Sequence, residues 1–152
     1  MAAYEKFENF VEDLASGVHD LIGTDPGTDC NVCNVYLSNA TINLATNEVK
    51  ADVAEISTGN GYTGPIATTN NGTRSGGTVT VSGVSVQVAA SGGSVGPFTH
   101  VVFYNDTPTS PADPLISKWS RAGALTLEAG ETFDIKFDDA AVGVRGDIFT
   151  LA

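Results

Sequence analysis

Val79-Thr-Val-Ser-Gly-Val-Ser-Val-Gln-Val88, followed by Phe98-Thr-His-Val-Val-Phe-Tyr104, is the stretch that decides the fold. In the first run valines alternate with Thr, Ser and Gln, the period of a half-buried strand. The alternation slips at Ser82-Gly83, which predicts a bulge or a tight turn. In the second run Phe98, Val102 and Tyr104 share one face, and Val101 and Phe103 share the other. A strand apolar on both faces belongs in the middle of a sheet. Ser91-Gly-Gly-Ser94 separates the two runs.

Further strands follow on the C-terminal side. Residues 105–114 hold three prolines and exclude a central strand. Leu115, Ile116 and Trp119 read as a short strand. Leu125 and Leu127 face Phe133, Ile135 and Phe137 across Glu128-Ala-Gly-Glu131, the pattern of a hairpin with a four-residue loop. Asp147-Ile-Phe-Thr-Leu-Ala152 reads as a closing strand, with Ile148 or Phe149 and Leu151 turned inward.

Upstream, Val32 to Leu37 is a short apolar run. Val49, Val53 and Ile56 have helical spacing and predict a turn or two of helix, ended by Gly59-Asn-Gly61. Residues 62–77 read as a long surface loop with at most a weak strand. At the N-terminus Tyr4, Phe7, Val11, Leu14, Val18 and Leu21 are spaced three and four apart, one stripe of an amphipathic α-helix widened by Phe10 and Ile22. Gly23 would end it as the C′ residue, and Asp25-Pro-Gly27 would turn the chain. The stripe would either pack on its own domain or face a neighbouring subunit.

The predicted class is therefore mainly β: an antiparallel, jelly-roll-like sandwich of roughly seven to eight strands with an N-terminal helix. We read one domain over residues 1–152, the helix in 1–23 and the sandwich in 29–152. At 15.6 kDa it is large enough to bury a core without disulfides or a structural metal.

Seven Lys+Arg stand against 18 Asp+Glu, a formal charge of −11. That balance argues against nucleic acid, whose binding rests on neutralised phosphates, and against an anionic membrane surface. A hydrophobic fraction of 41% argues against a disordered acidic chain. No apolar run reaches the roughly 18 residues of a membrane helix. The start, Met1-Ala-Ala-Tyr-Glu-Lys6, lacks the basic and apolar regions of a secretory signal, so the sequons at Asn39, Asn71 and Asn105 carry no weight.

Catalytic constellations are thin. His19 falls near the edge of the helical stripe, and His100 shares a strand face with Phe98 and Val102. There is no Gly-x-Ser-x-Gly elbow and no phosphate loop. Cys30-Asn-Val-Cys33 has redox or zinc spacing, but it opens a β run instead of a helix, and zinc would need two more ligands. Cys33 is expected as a small apolar core residue, with Cys30 at the strand edge. Asp138-Asp139, and Asp106 near Asp113, are acid pairs of a kind that can ligate calcium, with a solvated surface as the plainer reading. Arg145-Gly-Asp147 spells an adhesion tripeptide to which we assign no role. Trp119, Tyr62 and Tyr104 are the candidate aromatics for a glycan platform.

Several segments carry a further signal by their order along the chain: Phe10-Val-Glu-Asp-Leu-Ala-Ser-Gly-Val-His-Asp-Leu21, Val35-Tyr-Leu-Ser-Asn39, Val49 to Gly64, Ala90 to Phe98, Val102-Phe-Tyr-Asn-Asp-Thr107 and Leu127-Glu-Ala-Gly-Glu-Thr-Phe133. Together they resemble a group of small virion structural proteins of tailed bacteriophages, of the head decoration (cement) type. The resemblance implies a non-enzymatic protein without cofactor or metal. It implies synthesis in the bacterial cytoplasm and a place on the outer surface of the head. The implied partners are the major capsid protein and further copies of the chain, with no nucleic acid and no membrane. A tail, neck, fibre or baseplate component, contacting a receptor or glycan, is the alternative. The expected contact residues are Tyr4, Phe7, Phe10, Val11, Leu14, Val18 and Leu21. A cationic patch drawn from Lys6, Lys50, Arg74, Lys118, Arg121, Lys136 and Arg145 is expected to face the capsid.

Overall fold

A computed structural model describes residues 4–23 and 29–152. The chain is mainly β, antiparallel throughout, with one α-helix. Its strands are β1 (Tyr4–Lys6), β2 (Cys33–Ser38), β3 (Ile66–Ala67), β4 (Asn71–Ser75), β5 (Thr78–Val84), β6 (Val86–Ala89), β7 (Val95–Asn105), β8 (Leu115–Leu127), β9 (Thr132–Ile135) and β10 (Arg145–Leu151), and its helix is α1 (Asn9–Ala15). One layer is a five-stranded sheet in the order β1-β8-β7-β2-β3. The other is made of two smaller sheets, β10-β5-β4 and β6-β9. Among the described residues ten strands replace the seven or eight expected, the surplus being short ones.

The two-sided apolar run is β7, and it lies between β8 and β2. Val101 and Phe103 point into the sandwich with Cys33, Val35, Leu37 and Ile116, against Val81, Val88, Ile135 and Phe137 of the second layer. Val102 and Tyr104 point the other way, where Phe7, Tyr36, Val53 and Leu115 close a second core with Ala40, Ile42 and Leu44. The long connection after β2 thus serves as a lid. Its helical pattern is realised as one 3₁₀ turn, Lys50–Asp52.

The N-terminal helix is much shorter than predicted. Tyr4–Lys6 is a strand, paired with Trp119, Lys118 and Ser117 of β8. The helix ends at Ala15 because Gly17 takes φ +81°. The Gly17 N–H donates to the Leu14 carbonyl and the Val18 N–H to the Asp13 carbonyl, a Schellman closure. Gly17 is therefore the stop, not Gly23. The Asp25-Pro-Gly27 turn lies outside the described residues.

Three other readings need correction. Residues 62–77 supply β3 and β4, and β4 forms a hairpin with β5. Leu125 and Leu127 do not pair with Phe133 and Ile135: they extend β8 along β7, while β9 pairs with β6. Glu128 to Glu131 carries the chain from one layer to the other, closed by the Glu131 N–H donating to the Glu128 carbonyl. The slip near Ser82 is a bulge on the partner strand, where β10 carries the extra residue Ile148. The bend in the strand itself falls at Ser85.

Candidate binding cleft

Ser85 explains the main cavity. It is the single residue between β5, which pairs with β10 and β4, and β6, which pairs with β9. Its N–H donates to the Val144 carbonyl, its carbonyl accepts from the Gly143 N–H, and its Oγ accepts from the Phe137 N–H. These bonds fix both branches but leave β9 and β10 unpaired with each other. After Phe137 the chain turns away through Asp138 and Asp139, at φ +47° and +55°. A cleft of about 580 Å³ opens between the branches, within the usual size range of ligand sites.

The floor is aromatic. Trp119 from β8 contacts Tyr4 edge-on at 5.8 Å between ring centroids and Phe137 at 5.9 Å. Tyr4 continues to Phe149 at 5.7 Å, and Phe98 meets Phe133 at 5.0 Å. Trp119, Tyr4, Phe133 and Phe149 are only half-buried. Burial lifts the Tyr4 hydroxyl pKa to about 12, so it stays protonated in neutral solution.

The rim is mostly acidic. Asp134, Asp138, Asp139 and Asp147 line it, against Arg121 and Lys136. Lys136 lies 3.6 Å from Asp134, which also accepts from Gln87. At one end Ser120 bonds His100 Nδ1 at 3.0 Å, accepts from Lys118 at 2.7 Å and donates to Glu5. The ammonium of Lys118 is also hydrogen-bonded to Glu5 and holds that carboxyl below its ordinary range. Desolvation, then the Lys118 charge, lowers His100. The Ser120 hydroxyl is thus shared among three partners that tie β1, β7 and β8 together. That arrangement positions strands; it does not present a free nucleophile.

The expected contact residues are dispersed. Tyr4 lines the cleft. Phe7, Phe10 and Leu21 are enclosed by their own chain, Leu14 and Val18 are half-buried, and Val11 is 51% exposed. Of the aromatic candidates Tyr62 and Tyr104 are buried, and Trp119 alone reaches the cleft. His19 lies beyond the helix, buried against Phe10, with Asn105 on its Nδ1 at 3.0 Å. Cys33 is fully buried and free, its thiol pushed up by desolvation, and Cys30 is free and half-exposed. Arg145-Gly-Asp147 is built into β10. Asp138 and Asp139 stand on the cleft rim, and Asp106 accepts from Tyr104. Among the described residues no three His, Cys, Asp or Glu side chains are grouped to hold a metal ion. Of the seven cations, Lys50, Lys118 and Lys136 are already paired with Glu55, Glu5 and Asp134.

Comparison with known proteins returns no match. No family model, no curated protein and no solved structure is similar enough to carry an assignment.

Phe133 and Phe149 were not singled out in the sequence because they sit in different strands, and Tyr4 was named as a contact residue, but on a helical stripe and not in a cleft. Each looks like an ordinary core residue in its own run.

Proposed function

We propose that this chain is a non-catalytic structural protein of a tailed-phage virion that decorates the outside of the head and binds the major capsid protein. The observation that carries the reading is the ordered resemblance running from Phe10 to Phe133. Those segments do structural work in the fold: Val35 to Asn39 covers most of β2, Val49 to Gly64 includes part of the lid, and Val102 to Asn105 is the core of β7. An acidic exterior, with a formal charge of −11, favours solubility and repels released DNA. Modest contacts repeated over many copies add up through multivalency. The copies would themselves associate on the particle. The cationic surface available for the capsid narrows to Lys6, Arg74, Arg121 and Arg145, since Lys50, Lys118 and Lys136 pair with Glu55, Glu5 and Asp134.

Quantitative mass spectrometry of purified virions tests the reading. On the order of hundreds of copies per particle is expected for a decoration protein. A handful of copies, with antibody labelling on the tail, would replace it with the tail, neck or fibre reading. Complete absence from virions would end both.

A further inference from the structure

The open cleft carries a second inference, which does not rest on the virion reading. We propose that it docks an extended, basic peptide segment of a partner protein. The backbone would add to the free edge of β10, and cationic side chains would sit against the aromatic floor beneath the rim carboxylates.

Three observations point to that occupant. First, β1, β9 and β10 each have a strand neighbour on one side only, and all three line the cleft. Residues 133–139 and 147–150 contribute consecutively, so backbone as well as side chains faces the space. Free strand edges beside a pocketed groove suit an added strand. Second, Asp138, Asp139 and Asp147 enter no ion pair among the described residues. Four carboxylates against two cations leave the rim net negative, and Lys136 already leans on Asp134. Third, the molecule contains the same recognition unit in filled form. On the opposite face of the sheet Lys50 Nζ lies 5.1 Å from the Tyr36 ring centroid and 5.8 Å from that of Tyr104, and 3.0 Å from Glu55. Rings plus a carboxylate hold a cation there. The cleft offers the same rings and carboxylates on its open side.

Trp119 is the only tryptophan of the chain, so its emission reports cleft occupancy. The full chain is titrated with a capped peptide of alternating Lys and Val, about seven residues long to match a strand. Controls are the Glu/Val counterpart, the Lys/Val peptide with a central proline, and a linear hexasaccharide. The basic peptide is expected to shift the emission saturably. The acidic one should have no effect, and the proline version should bind about tenfold more weakly because it cannot complete the ladder. Asp138→Asn combined with Asp139→Asn should weaken the basic peptide about fivefold with an unchanged melting midpoint, since Asn tolerates the positive φ at both sites. Equal binding of the acidic peptide, or indifference to the double substitution, overturns the proposal. A response to the hexasaccharide alone makes the cleft a glycan site instead. A concentration-dependent dimer that changes the emission without peptide makes the occupant a second copy.

Discussion

The two faces of the five-stranded sheet use similar residues to opposite ends. On the lid side Tyr36, Val102, Tyr104 and Leu115 are enclosed by Phe7 and the 40–53 segment, and every ring has an own-chain cover. The Tyr36 hydroxyl donates to the Val53 carbonyl at 3.1 Å, and Lys50 caps two rings. On the sandwich side the centre is equally closed, but toward β1 and β10 the rings of Trp119, Tyr4 and Phe149 stay half-exposed. The difference lies in chain routing, not composition. A continuous loop lies over one face, whereas on the other the second layer divides at Ser85. Aromatic surface without an own-chain cover is where a partner gains most.

Ring truncations on the two sides test that contrast most strongly. Phe7→Ala removes a fully enclosed ring from the lid core and is expected to cost about 3–5 kcal/mol. Phe149→Ala removes a half-buried ring and should cost about 1–2 kcal/mol, in proportion to the smaller area withdrawn from water. Urea unfolding measures both. Equal losses would mean that the cleft rings are as structural as the lid rings, and the contrast would fail.

His19 probes the N-terminal segment that joins the two regions. Burial lowers its pKa from 6.5 to about 4. Below pH 6.5 the unfolded chain takes up a proton that the folded chain refuses, so stability is full above that pH and falls as the pH drops toward 4. The loss approaches about 3 kcal/mol. Asp13, whose Oδ2 lies 4.0 Å from His19 Nε2, opposes part of it, because burial raises its carboxyl and folding then favours its protonated form at low pH. Unfolding free energies between pH 7 and 4.5 should slope accordingly, and His19→Gln should flatten the slope. An unchanged slope in the variant would place the effect elsewhere.

How much of this was readable follows from what each signal encodes. β7 was legible because apolar residues on both faces admit one location, the sheet interior, but Phe98, read on the face of Val102 and Tyr104, lies in the sandwich core with Val101 and Phe103 because the register shifts before His100. Cys33 was legible from its place in an apolar run, and the 105–114 loop from its prolines. Tyr4 to Leu21 misled because spacing of three and four fits any segment that touches a core at intervals. Gly17, with its left-handed backbone, was the overriding local fact. The 125–137 pattern identified two strands correctly but not their partners, since alternation gives a face and not a neighbour. The cleft was beyond local reading altogether: Tyr4, Trp119 and Phe149 meet only through long-range pairing of β1 with β8 and of β10 with β5.

Ser85→Ala tests the joint itself. The side chain is buried, and its Oγ accepts the Phe137 N–H at 3.0 Å. Alanine keeps the backbone bonds to Gly143 and Val144 but leaves that N–H unsatisfied, at a cost of about 1–3 kcal/mol. The loss should be local as well as global. Amide exchange at Phe137 should rise well before that of the β7 core, because the β9 branch would swing more freely from the second layer. Uniform acceleration across the sheet would mean that Ser85 supports the whole fold and not the division that opens the cleft.

The smallest effect is expected from Lys50→Met, and it bears most directly on the comparison. Methionine preserves most of the stem packing over Tyr36 and Tyr104 but removes the charge from both rings and from Glu55. Lys50 is partly exposed, so solvent screens the ion pair, and a loss of about 1 kcal/mol covers both contributions. High salt should shrink the difference between the variant and the parent if the pair with Glu55 dominates. A difference that persists in molar salt assigns the contribution to the rings. That second outcome would strengthen the case that aromatic surface in this molecule selects cations, on the face its own chain covers and on the face it leaves open.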